Sequence, residues 1–181
     1  MPEPTGIERG QLICEQLKAN GVEFVAWLPD SETRFLHTAL QADPAFRMIP
    51  VCSEGEALTL LAGLHVGGRR GTVLVENNGL FDSGNALRWL CDSQLPLVLL
   101  VGYLSYRFMT PTPRGRMWSD DYWPGVRDLT EPFIDAFEVP HLLVESDEHV
   151  GRISEAFALA EKTARPVIVL LTSADAYVAG T

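Results

Sequence analysis

Basic residues are scarce in this chain. Against 24 Asp plus Glu there are only 14 Lys plus Arg, so its 181 residues carry a formal charge of −10. So acidic a chain lacks the clustered cations that displace counterions from nucleic acid or an anionic bilayer, and neither is an expected partner. Long apolar runs are also lacking: the longest, Pro96 to Gly102, falls far short of the roughly 20 residues that span a membrane. Cysteine is limited to Cys14, Cys52 and Cys91, an odd, widely spaced trio without a CxxC pair. It reads as reduced core thiols of a cytoplasmic protein rather than a disulfide frame. The segment Met1 to Gly6 has neither the basic nor the apolar region of a secretory signal.

Several motifs are missing too. There is no GxGxxG after a strand and no GxxxxGK[ST], so nucleotide-phosphate loops have no support. Without HExxH or a GxSxG elbow, metalloprotease and serine-hydrolase readings fail. His37, His65, His141 and His149 are scattered over different elements, and His65, on an apolar helical stretch, is expected in the core.

What the chain does have is one alternation, repeated. Ile7, Ile13 and Leu17 form a helical stripe stopped at Asn20-Gly21, and Phe24 to Leu28 is a short apolar run. Pro29-Asp30-Ser31 makes a turn, with Ser31 a candidate N-cap for a second amphipathic helix through Phe35, Leu36 and Leu40. Arg47 to Val51, Thr72 to Val75, Leu97 to Val101, His141 to Val144 and Val167 to Leu171 read as further strands. Helices are expected over Glu54 to Val66, Gly79 to Cys91, Leu129 to Phe137 and Glu148 to Ala164. Short apolar strands separated by helices predict a single three-layer α/β domain over 1–181. Its six-stranded parallel sheet carries helices on both faces, because parallel neighbours need crossover connections.

Tyr103 to Arg127 breaks the rhythm. It holds Pro111, Pro113 and Pro124, carries Arg107, Arg114, Arg116 and Arg127, and is expected to be a long irregular loop. An Arg-rich loop at the carboxyl end of a central strand suits a planar anion, and its Tyr and Trp residues suit a subunit contact equally.

Polar residues also stand at successive strand ends: Asp30 and Ser31 after the first strand, Glu54 after the second, Asn77-Asn78-Gly79 after the third. In a parallel sheet these ends share one edge, where such residues converge on a crevice. The same residues also cap the helices they precede. Spacing leaves both readings open, and Glu56, two residues on, is a rival to Glu54 for a catalytic carboxyl.

Ser53-Glu54-Gly55-Glu56-Ala57, running into an Ala/Leu/Gly helix, resembles the pyrimidine-binding domain of thiamine diphosphate decarboxylases. The likeness is to the separate α subunits of sulfopyruvate decarboxylase and the matching part of phosphonopyruvate decarboxylase. Gly21-Val22 followed by Leu28-Pro29-Asp30-Ser31 is similar to that family's first strand and turn, and Glu76-Asn77-Asn78-Gly79-Leu80 through Asn85-Ala86-Leu87 to its QNSGL…NAL-like segment. Pro96 to Arg107 resembles its fourth strand and following loop. Phe81 and Asp82 stand where the family carries small residues, which predicts an altered pocket wall.

The resemblance implies the α subunit of a heteromeric 2-oxo acid decarboxylase. Glu54 becomes the carboxyl that hydrogen-bonds N1′ of the cofactor's aminopyrimidine, with Asn78, Gly79 and Leu80 beside it. Asn77 becomes a catalytic side chain, and Ser31, Asp30 and Arg107 face a small 2-oxo acid. The chain has no Gly-Asp-Gly for the Mg2+ that anchors the diphosphate. The resemblance therefore implies a diphosphate-binding β subunit carrying that motif, in an α2β2 or larger assembly. A carboligase subunit using the same cofactor and a non-catalytic α/β scaffold are the other readings.

Overall fold

In the computed structural model, residues 6–30, 32–106, 109–112, 115–118 and 124–172 are described. Helix and strand alternate as the apolar pattern requires: α1 (Gly6–Ala19), β1 (Phe24–Trp27), α2 (Arg34–Ala42), β2 (Arg47–Pro50), α3 (Glu54–Val66), β3 (Gly71–Glu76). Then come α4 (Asn77–Asp82), α5 (Gly84–Asp92), β4 (Val98–Gly102), the hairpin strands β5 (Met109–Thr112) and β6 (Gly115–Trp118), α6 (Pro124–Ala136), β7 (His141–Val144), α7 (Arg152–Thr163) and β8 (Val167–Leu171).

Six strands form one parallel sheet in the order β2-β1-β3-β4-β8-β7, the expected fold class. β3, β4 and β8 lie inside it and are buried along almost their whole length, since both faces are covered. Alternate side chains serve the two faces. Leu74, Val98 and Leu100 meet Ile13, Leu17, Leu36, Leu40, Ile153 and Phe157 of α1, α2 and α7. Val73, Val75, Leu99 and Val101 meet Leu58, Leu61, Leu87, Leu90 and Ile134 of α3, α5 and α6.

Strand order decides where the sheet opens. From β1 the chain moves one place outward to β2; from β2 it returns past β1 to β3 and continues to β4. Right-handed crossovers turn opposite travel into opposite faces, so α2 and α3 cover different sides. The connections leaving the carboxyl ends of β1 and β3 diverge, leaving a crevice between those two strand ends.

Five local expectations change. The segment expected to be irregular contains the antiparallel β5–β6 hairpin, and α6 begins at Pro124 rather than near Leu129. Proline is at no disadvantage there, because the first N–H of a helix has no intrahelical partner. The helix expected over Gly79 to Cys91 is two helices, broken at Ser83, whose Oγ donates to the Gly79 carbonyl (3.0 Å). His65 is exposed in the last turn of α3, facing away from the side that buries Leu58 and Leu61. Of the three free thiols only Cys14 is buried; Cys52 is exposed in the β2–α3 turn and Cys91 is half-buried. No helix among the described residues is long and apolar enough to cross a membrane.

Candidate active site

The crevice is built from three turns. After β1, Asp30 folds back on the start of α2: its Oδ1 accepts from the Thr33 N–H at 2.7 Å and its Oδ2 from the Thr33 hydroxyl at 2.5 Å. Asp30 thereby pins Thr33, the N-cap residue of α2, whose own side chain makes no cap bond; Ser31, the expected cap, lies outside the described residues. The turn then leans across β3 to β4, and a Cβ on Gly102 would stand 2.6 Å from Thr33 Cγ2 and 3.1 Å from Glu32 Cβ. Only glycine at the end of β4 allows this approach.

After β2, two glutamates divide two tasks. Ser53 accepts from the Glu56 N–H (3.2 Å), while Glu56 Oε2 reaches back to accept from the Cys52 N–H (2.6 Å). This reciprocal cap settles the start of α3 through Glu56. Glu54 is thereby released from capping. Its half-buried side chain lies over α4, against Gly79, where an added Cβ would overlap the carboxyl. Among the described residues, no hydrogen bond or ion pair engages the Glu54 carboxyl. The apolar turn beneath it buries Ala57, Leu58, Leu61 and Ala62.

After β3 the chain enters α4 at Asn77. That side chain is fully buried: its Oδ1 accepts from the Leu104 N–H (3.0 Å) and its Nδ2 donates to Thr130 Oγ1 (2.7 Å). The structure thus places Asn77 as a strut joining the ends of β3 and β4 to α6, not at the crevice surface. Leu80 is buried beneath α4, Asn78 is exposed, and Gly79 meets Glu54. Phe81, expected to alter the pocket wall, turns instead toward α6 and packs edge-on against Phe133, with ring centroids 5.2 Å apart. Asp82 is exposed. Arg107 and Arg114 lie outside the described residues.

Motif matching passed over one residue. Glu76, the last residue of β3, pairs in register with Gly102 and is half-buried. Burial, together with the negative charge of Asp30, Glu32 and Glu54, pushes its carboxyl up to about 7. Burial raises Asp30 as well. The signal for Glu76 was in the sequence as an acidic side chain ending an apolar strand, where burial taxes the charged form.

No family model matches the chain. Among curated proteins it is similar to sulfopyruvate decarboxylase α subunits. With that of Methanothermobacter thermautotrophicus it shares 27% identity over 91% of this chain and 96% of the relative. With that of Methanocaldococcus jannaschii it shares 27% over 90% and 92%. It is also 36% identical to the phosphonopyruvate decarboxylase of Streptomyces viridochromogenes, over 44% of this chain and 20% of the relative. The fold defines an α/β domain with a six-stranded parallel sheet, and its candidate site lies at the β1/β3 opening. The resemblance to sulfopyruvate decarboxylase α subunits, read from the strand-end motifs, is borne out along nine-tenths of its length.

Gly79→Ala is expected to keep the fold, with a thermal midpoint within a few degrees of the parent, but to move the Glu54 carboxyl; a variant crystal structure with Glu54 unmoved would contradict this packing. For Glu76 the sign follows from its raised value. Between about 4.5 and about 7 the folded chain keeps a proton that the unfolded chain has lost, so stability falls as pH rises through this window and levels off above it. Glu76→Gln should remove that decline, about 1–3 kcal/mol, as read from urea midpoints at pH 5 and pH 8. Parallel profiles for parent and variant would refute it.

Proposed function

We propose that this chain is the pyrimidine-binding α subunit of a heteromeric thiamine diphosphate-dependent 2-oxo acid decarboxylase of the sulfopyruvate/phosphonopyruvate type. One observation carries the reading: Glu54, relieved of capping by Glu56, holds an unengaged carboxyl over a glycine at the topological switch point. Because Gly79 has no side chain, the Glu54 carboxyl rests directly against α4, an arrangement that fits a heterocycle ring nitrogen meeting an acid at the sheet edge. The names of the relatives, decarboxylase and subunit alpha, agree with it.

In this reading Glu54 hydrogen-bonds N1′ of the aminopyrimidine and holds the proton there, while Gly79, with Asn78 and Leu80 around it, lets the carboxyl lie against α4 on the cofactor side. The cofactor, once bound, supplies the electron sink that lets a 2-oxo acid lose CO2. Asp30 fixes the β1–α2 turn, and Ser31 and Arg107 belong to the substrate side. Asn77 contributes by bracing the ends of β3 and β4.

The diphosphate end is assigned to the partner. This chain has no Gly-Asp-Gly, and its charge of −10 opposes a diphosphate unless Mg2+ and its ligands come from elsewhere. A β subunit carrying that motif completes the site, in an α2β2 or larger complex. Exposed apolar side chains fit such a contact: Val66 at the end of α3 and Trp89 on α5, the helix packed beside it. Three free thiols suit the cytoplasm.

Calorimetry on the isolated chain should show weak thiamine diphosphate binding with or without Mg2+, and tight binding only with the β subunit. Tight metal-dependent binding by the chain alone would overturn the two-subunit site. In the assembled complex Glu54→Gln should lower kcat by about 10²–10⁴-fold, because an amide cannot carry the proton. Parental turnover in that variant would refute the role of Glu54, and an acyloin in place of an aldehyde would move the reading to a carboligase.

A further inference from the structure

We propose that Glu76 is the proton donor of this crevice, delivering the proton that replaces the departing carboxylate of the substrate. The inference rests on the decarboxylase reading and adds a residue to it.

Position is the first argument. Glu76 ends β3 at the switch point, in register with Gly102, whose missing side chain lets the β1–α2 turn close over the sheet edge. The segment it opens resembles one that begins with Gln, so the acid is a feature of this chain. Isolation is the second. Among the described residues no cation or hydrogen-bond donor pairs with Glu76, although it is half-buried. The groups around it are acids: Asp30, with His37 behind it, and Glu32 from the β1–α2 turn, and Glu54 from α3. On the β4 side stand Gly102 and Tyr103, whose hydroxyl is bonded to Glu131. A third argument is independent of charge. Leu104 is tied to Asn77, and the next residue, Ser105, is held at φ 71° with a buried Oγ that has no partner. Strain and an orphaned hydroxyl beside the same strand end mark a functional edge. Among the described residues, no three of these acids or of any other His, Cys, Asp or Glu side chains are placed so that they could hold a metal ion.

The chemistry closes. When CO2 leaves, the electron pair of the broken C–C bond stays on the former carbonyl carbon. The Glu76 O–H bond breaks, a C–H bond forms on that carbon, the aldehyde departs, and the carboxylate recovers its proton from water. An acid that titrates near 7 is matched to this task at neutral pH.

The test uses the complex with the β subunit and a readout that needs no cofactor. In the parent, kcat should fall above about pH 7. Glu76→Gln should lose that limb and about 10²-fold in kcat at pH 7, with thiamine diphosphate affinity within about twofold of the parent, since that contact belongs to Glu54. Carbon NMR of the full chain should show one side-chain carboxyl titrating near 7, absent from the variant. If no carboxyl titrates above about pH 6, or if Glu76→Gln keeps the parental rate and limb while Glu54→Gln is inactive, this inference alone falls. If the complex binds no thiamine diphosphate, the decarboxylase reading falls and takes this one with it.

Discussion

A right-handed crossover is the constraint from which the rest of this molecule follows. Because the chain leaves β1 in one direction and β3 in the other, handedness forces α2 and α5 onto opposite faces and parts the two turns at the carboxyl edge. No side chain is needed to open that gap; connectivity alone does it. What the side chains decide is how the gap is lined. Gly102 lets the Asp30–Thr33 turn lean inward, and Gly79 leaves the space the Glu54 carboxyl occupies.

The lining is electrostatically one-sided. Asp30, Glu32, Glu54 and Glu76 gather at the ends of neighbouring elements, and mutual repulsion plus burial favours a proton on one of them. Such a wall is hostile to an anionic 2-oxo acid and to a diphosphate, and hospitable to a neutral or cationic heterocycle. Both halves of that preference agree with the proposed two-subunit site.

A division of labour runs through the edge. Glu56 does the capping that spacing allowed to Glu54, Asp30 holds the N-cap residue Thr33, and Asn77 braces two strand ends with an amide that a motif would assign to the substrate. Identical residue types thus serve fold or site according to which donors lie within reach. Phe81 belongs to the same group, anchored on Phe133 of α6, more than fifty residues away along the chain.

Periodicity and turn chemistry are local properties, so the six parallel strands, their covering helices and the strand-end position of Glu54, Asn77 and Gly79 were legible in the sequence itself. The break at Ser83, the hairpin inside the Tyr103–Arg127 stretch and the exposure of His65 were not, because each depends on neighbours that a window of residues does not contain. The amino-acid order determined which residues arrive at one sheet edge, since parallel strands end on the same side whatever their order. Only the tertiary structure decided that Glu54 is unengaged while Asn77 is bound, and that Glu76 sits among three other acids, because hydrogen-bond partners and desolvation come from elements that meet only when the sheet is assembled.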